Sequence, residues 1–323
     1  MWDTIGHEWA VAYLQKTIET DRIAHTTLFT GPAEIGKTHL ARWFAAALHC
    51  QSDARRPCGT CRGCRDTHAG AHADLLLIEP DKGRVKIDQV RRIQHELALR
   101  PYNSPWRVCV VSGFETTTIE AANALLKTLE EPPPHAILLL TALDPGLLLP
   151  TIVSRCRVLS LRPVAPHTIA DALVERYQVD PQRATEIAQL SAGRVGWAIR
   201  ACEDPAMLEQ RDADVQMLLK LFDQGPAARL RVAEELAQRD DVHPAIFEWQ
   251  LVWRDIMLLA AGCDERLIVN QQQLPRLRHL AQSTGLESAR AAAANAQDVV
   301  RQIAQNVNAR LALETMLLSW QNR

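Results

Sequence analysis

No long apolar run occurs in this chain of 323 residues. Its most apolar window, Ala136 to Pro150, is broken by Asp144 and Pro145, and it falls short of the roughly 20 residues that a membrane-spanning helix needs. No membrane span is predicted. The opening residues, Met1 to Glu8, carry no basic flank leading into an apolar stretch, so they do not resemble a secretory signal, and the expected compartment is the cytoplasm. A formal net charge of -2 provides no overall field for attracting DNA, so any contact with nucleic acid must come from local patches or a larger assembly. Short-period repeats and low-complexity tracts are also missing. What remains is ordinary: 47% hydrophobic and 23% charged residues, the balance of a soluble globular protein long enough for two or three domains.

The first half alternates short apolar runs with helical spacing, which is how a parallel sheet flanked by helices reads. Strands are predicted at 27–30, 75–78, 108–111, 137–140 and 158–161. Between them, Leu40, Phe44 and Leu48 share one helical face, as do Val90, Ile93 and Leu97, and a third helix carries Leu125, Leu126 and Leu129. Pro132-Pro133-Pro134 must stop that third helix, because proline lacks the backbone donor and restricts the residue before it. Beyond Arg162-Pro163 the strand signals fade into helices rich in Ala, Leu, Arg and Glu, divided by turns such as Asp223-Gln224-Gly225-Pro226. The expected division is an α/β core of parallel strands with helices on both faces at 1–163, a small helical lid at 164–205 and an all-helical domain at 206–323.

Gly31-Pro32-Ala33-Glu34-Ile35-Gly36-Lys37-Thr38 fits the phosphate-loop pattern G-x-x-x-x-G-K-[ST], directly after a predicted strand and before a predicted helix. Gly31 and Gly36 let backbone N–H groups turn toward phosphate oxygens. Lys37 can reach the outer phosphates and Thr38 can ligate magnesium, so ATP or ADP with Mg2+ is the expected ligand. Hydrolysis needs more: acids on a nearby strand, one to order magnesium and one to orient or deprotonate water. The third strand ends Val110-Val111-Ser112-Gly113-Phe114-Glu115, with Ser112 and Gly113 where those acids would stand. Glu115 is read as a solvated loop acid, with a displaced catalytic base as its alternative.

Cys58-Gly59-Thr60-Cys61-Arg62-Gly63-Cys64 is a doubled C-x-x-C, and Cys50 ends the preceding helix. Cys50, Cys58, Cys61 and Cys64 suit a closed tetrahedral zinc site, a structural role that holds an insertion at about 50–72 lacking enough core of its own. A redox pair or four unligated thiols are the alternatives. His68 and His72 lie near enough to replace one cysteine but are expected to be exposed loop histidines. Arg55, Arg56, Arg62 and Arg65 make the insertion locally basic, more in the manner of a solvated loop than of a nucleic-acid site.

Three stretches point to one family. Arg22-Ile23-Ala24-His25-Thr26-Thr27-Leu28-Phe29 leads into the phosphate loop and the four cysteines; Asn123-Ala124-Leu125-Leu126-Lys127-Thr128-Leu129-Glu130-Glu131-Pro132-Pro133 forms a helix; and Leu149-Pro150-Thr151-Ile152-Val153-Ser154-Arg155-Cys156 carries a Ser-Arg-Cys motif. Together they resemble the bacterial clamp-loader subunits of the AAA+ superfamily. The resemblance implies that Arg155 projects as an arginine finger into the ATP site of an adjacent subunit; without it, Arg155 reads as a loop salt-bridge residue. It implies partners as well: motor subunits of the gamma/tau type and a delta subunit in a pentameric ring, with the sliding clamp and primed DNA engaged through the assembly. It also makes Asn308 to Trp320 the last helix of a collar domain that joins the ring.

Motor and delta-prime branches of this family share the fold and the metal site. Ser112 and Gly113 stand where a motor has its acids, and Gly196 in Gly193-Arg194-Val195-Gly196-Trp197-Ala198 stands where a motor has its lid arginine. Both departures favour the non-hydrolysing delta-prime branch, in which the isolated chain is not an ATPase. A gamma/tau-type motor and a zinc-dependent nucleic-acid binding module are the competing readings.

Overall fold

A computed structural model describes residues 2–52, 56–304 and 307–320; Arg55 lies outside them. The chain divides into two compact units, Met1–Ala184 with Gly193–Trp197, and Thr185–Ala192 with Ala198–Arg323.

The first unit is built on five parallel strands, β1 (Thr26–Thr30), β2 (Leu75–Ile78), β3 (Arg107–Val111), β4 (Ala136–Ala142) and β5 (Arg157–Ser160), in the order β2-β3-β4-β1-β5. All five coincide with the predicted strands to within two residues. The register sets Leu28 of β1 beside Leu140 of β4 and Val158 of β5, and Val108 of β3 beside Ile137 of β4. Successive side chains then point to opposite faces. Leu28, Cys109, Val111, Leu138 and Leu140 enter one buried cluster, and Phe29, Val108, Val110, Ile137 and Leu139 enter another. A central strand buried on both faces is why these segments read as unbroken apolar runs rather than as alternation.

Helices α1 (Glu8–Glu19), α2 (Lys37–Leu48), α3 (Arg62–His68), α4 (Ile87–Ala98), α5 (Ile119–Glu130), α6 (Pro150–Val153) and α7 (Pro166–Tyr177) complete most of this unit. One face of the sheet is covered by α1 and α2 through Ala10, Leu14, Leu40, Phe44 and Leu48. The other is covered by α4 and α5 through Val90, Ile93, Leu97, Leu125 and Leu129. Local chemistry sets the ends: the Thr118 hydroxyl accepts the Ala121 N–H at the start of α5, and α5 closes at Glu130, just before the three prolines. Helices α8 (Pro181–Leu190) and α9 (Val195–Glu203) are each cut by the division between units.

The second unit contains α10 (Ala206–Leu221), α11 (Pro226–Ala237), α12 (His243–Ala260), α13 (Leu274–Thr284), α14 (Leu286–Ala304) and α15 (Ala309–Ser319). Trp249, Trp253 and Trp320 meet edge to face in its core, the last two rings 5.2 Å apart. Two buried charged groups there find partners: Asp255 accepts the Val269 and Asn270 N–H groups and the Asn270 amide, and Arg211 meets Glu248 at 3.1 Å. Among the described residues, no helix is long and apolar enough to cross a membrane.

Candidate functional site

The phosphate loop runs from the end of β1 into α2. Gly36 holds the turn at a φ of 106°, a left-handed conformation that costs glycine little, and the N-terminus of α2 presents its unpaired N–H groups there. Lys37 is folded inward. Its Nζ donates to the carbonyls of Gly31 and Pro32, each at 2.7 Å. Burial lowers its pKa to about 8, against the opposing pull of the Glu115 and Glu34 charges. The loop is braced from two sides: His7 Nε2 donates to the Ile35 carbonyl at 2.9 Å, and the Gly196 N–H donates to the Glu34 carbonyl at 2.7 Å.

Thr38 faces β3, and its hydroxyl lies 3.4 Å from the Ser112 hydroxyl. A neutral hydroxyl, not a carboxylate, therefore stands opposite Thr38. Gly113 follows in a left-handed turn, with its N–H on the Thr141 hydroxyl at 3.1 Å. The expectation of a solvated Glu115 needs correcting. Phe114 is buried in the 3-10 turn Phe114–Thr116, which draws Glu115 inward, so it is half-buried and its charge acts on Lys37.

Gly196 has a steric reason to be glycine. A Cβ there would lie 2.9 Å from the Glu34 carbonyl oxygen, closer than a carbon and an oxygen tolerate. The first turn of α9 thus meets the phosphate loop through the Gly196 backbone, and there is no room for a side chain at that position.

Cys50, Cys58, Cys61 and Cys64 converge, with all four Sγ atoms within 4.8 Å of one another. Cys58 and Cys64 Sγ are 4.0 Å apart, as are Cys61 and Cys50. A tetrahedral ion with Zn–S bonds of about 2.3 Å sets its sulfurs about 3.8 Å apart, so the four fit zinc. Backbone N–H groups of Cys58, Cys61 and Cys64 point at Cys50, Cys58 and Cys61 Sγ. The Cys61 and Thr60 N–H groups lower the Cys58 pKa to about 5, whereas burial raises Cys50 and Cys64; a cation bound among them would favour all four thiolates. Neither histidine joins the group. His72 is buried and stacked on His49 with ring centroids 4.0 Å apart, and His68 packs against Trp43. Both pack because the insertion folds back on α2, which corrects the expectation that they are exposed. Arg62 and Arg65 are exposed, and Arg62 pairs with Asp66.

Arg155 stands at the surface after α6. Its Nη2 donates to Glu130 Oε1 at 2.6 Å and its Nη1 to the Thr151 carbonyl at 2.8 Å. The structure joins it to Glu130, the last residue of α5, a partner that sequence spacing did not reveal. Sequence reading also missed His7 and the two loop carbonyls that hold Lys37; a histidine beside a glycine ahead of a helix is too common to single out. Cys109 and Cys156 are raised by burial, the latter to about 12, which keeps both thiols neutral.

A family model described as DNA polymerase III, delta subunit, matches residues 6–165, and one described as DNA polymerase III, delta subunit, C terminal, matches 205–322. The DNA polymerase III subunit delta′ of Pseudomonas aeruginosa is 31% identical over 307 residues, 92% of each chain. The Bacillus subtilis subunit delta′ is 29% identical over 275 residues, 84% of this chain and 83% of its own. The subunit tau of Escherichia coli is 32% identical over 195 residues, which covers 59% of this chain and 30% of tau. Similarity to tau thus extends over little more than half of the chain, whereas similarity to delta′ runs through both units, and the chain belongs to the DNA polymerase III subunit delta′ family.

Proposed function

We propose that this chain is a largely non-hydrolysing stator of the replicative clamp loader: it completes a neighbouring motor subunit's ATP site with Arg155 while the assembly loads the sliding clamp onto primed DNA. The observation that carries the reading is the Ser112 hydroxyl facing Thr38. A serine cannot act as general base, and a missing base alone slows such chemistry about 100-fold to 10,000-fold. The phosphate loop itself is intact, so ATP or ADP with Mg2+ binds at Gly31, Gly36, Lys37 and Thr38 without turnover, and the chain alone is not an ATPase.

Zinc held by Cys50, Cys58, Cys61 and Cys64 is structural, since four protein ligands leave no open position. Residues 1–163 form the nucleotide-binding core, 164–205 the lid and 206–323 the collar that joins motor and delta subunits in a five-membered ring. Such an assembly works in the cytoplasm.

The test is reconstitution with motor subunits and clamp, measuring single-turnover phosphate release at the motor site beside this chain. Arg155→Ala should slow it by about 1,000-fold to 100,000-fold, the range for removing an arginine finger supplied in trans. Unchanged release in a fully assembled loader would sink the reading.

A further inference from the structure

We infer that Glu130 is the positioning residue for Arg155: it fixes the direction in which the guanidinium is offered, and it releases the group when a stronger anion arrives. This rests on the reading of Arg155 as a finger for a neighbouring site.

Three acceptors hold the guanidinium, the Thr151 carbonyl, the Ser154 hydroxyl at 3.3 Å and the Glu130 carboxylate, and the first and last sit on anchored helices. The Thr151 carbonyl belongs to α6, whose start is fixed by Pro150. Glu130 is the last residue of α5; Leu125 and Leu129 bury that helix in the core, and Glu131 N–H bonds back to Lys127 to close it. Past Glu131 the chain enters Pro132-Pro133-Pro134, so the end of α5 has few ways to move. Two fixed acceptors on neighbouring Nη atoms define the plane of the guanidinium as well as its place. An arginine left unheld would have to find that plane at each encounter, and orientation prepared in advance favours the transition state.

The strength of the hold matters equally. The side chains remain 34% and 50% exposed, so water screens the pair, and exposed pairs of this kind change equilibria by no more than about fivefold. A hold that weak orders the side chain while yielding to a phosphate group that carries more than one negative charge. Glu130 therefore holds the finger without trapping it. The inference also gives the Leu129-Glu130-Glu131-Pro132 stretch a purpose beyond packing: it delivers one carboxylate to the Ser-Arg-Cys turn.

The experiment is a double-mutant cycle in the reconstituted loader, reading kcat and KM for ATP at the adjacent motor site and the affinity of this chain for the ring. Glu130→Ala should lower kcat about threefold to fivefold, leave KM and ring affinity unchanged, and have no further effect in an Arg155→Ala background. Glu130→Gln keeps an acceptor oxygen and should fall between wild type and Glu130→Ala. An equal loss in the Arg155→Ala background would mean that Glu130 acts on the fold rather than on the finger. Faster turnover in Glu130→Ala would make it a trap, and an unchanged kcat would leave it without a role; any of the three overturns the inference. Failure of the finger reading shows separately, as an Arg155→Ala single variant that turns over like wild type.

Discussion

Lys37 and Arg155 are cations in the same unit with opposite surroundings. Lys37 is buried and folded onto two carbonyls of its own loop; Arg155 is exposed and held by one carbonyl, one hydroxyl and one half-exposed carboxylate. The first must leave neutral dipoles to meet a phosphate, and it does so beside a serine. The second stands at the surface, where another molecule's phosphate can reach it. A serine opposite Thr38 beside the inward cation, and an outward cation already oriented, suit the proposed role of serving a reaction other than the chain's own.

The sharpest way to break this contrast is to cross the two substitutions. Lys37→Ala should weaken nucleotide binding to this chain roughly 10-fold to 100-fold, as expected for lost charge-assisted hydrogen bonds, and leave phosphate release at the neighbouring motor site within about twofold. Arg155→Ala should do the reverse, with the far larger effect given above. Equilibrium nucleotide binding and single-turnover release on the same two variants check this, and a Lys37→Ala chain that also silences the neighbour would mean that the two cations are coupled.

Metal removal sharpens the contrast from a third position, because Cys50 lies just past the C-terminal end of the helix that Lys37 begins. Losing one of four ligands should cost more than the 10-fold to 100-fold typical of an outer-shell change. Cys64→Ser should therefore lose stoichiometric zinc by elemental analysis and lose amide protection in α3. Nucleotide affinity should change less than about threefold, since the Lys37 end of α2 is held independently by His7 and β1. A chain that loses nucleotide together with zinc would show that the module shapes the loop.

How much of this could be read in advance follows from what each feature depends on. The five strands were legible because the central ones are buried on both faces, so their apolar runs needed no partner to be recognised. The Ser112 and Gly113 positions were legible because a strand fixes register one residue at a time. Features made by contact between distant segments were not: the Glu34 carbonyl meets Gly196 only after the chain has returned from α7 and α8, and Glu130 meets Arg155 only through the packing of α5 on α6. Glu115 and His72 were misread for one reason. Each is a polar residue in a short loop, and a buried neighbour, Phe114 in one case and the His49 ring in the other, draws it inward.

The Lys37 environment makes a pH prediction whose sign differs between two measurements. Its pKa is lowered from 10.5 to about 8 in the folded chain, so between those values the unfolded chain binds more protons, and stability of the nucleotide-free chain should rise with pH through this window. Nucleotide phosphates favour the charged amine and raise its pKa when bound. Affinity should therefore be flat below about pH 8 and fall as pH rises above it, by up to about 10-fold per unit. Chemical denaturation and nucleotide titration across pH 7 to 10 would check this, and Lys37→Met should flatten both curves.

The smallest expected effect concerns Gly196. An alanine there puts a methyl 2.9 Å from the Glu34 carbonyl, and because that atom is backbone, α9 must shift or the Gly196 N–H bond to Glu34 must stretch. Overpacking of this kind costs about 1 to 3 kcal/mol, and loss of the bond contributes about 1 kcal/mol of it. The cost falls on the docking of α9 against the loop, so Gly196→Ala should raise amide exchange at Gly196 and in the loop while changing nucleotide affinity less than about fivefold. Gly196→Arg tests the same space more severely: it supplies the arginine that the resemblance to a motor subunit leads one to expect there, yet it should be more destabilising than alanine and should not tighten nucleotide binding. Tighter binding by the arginine variant would mean that α9 can withdraw to admit a lid side chain, and the distinction between a site that only holds nucleotide and one prepared to hydrolyse it would then rest on Ser112 alone.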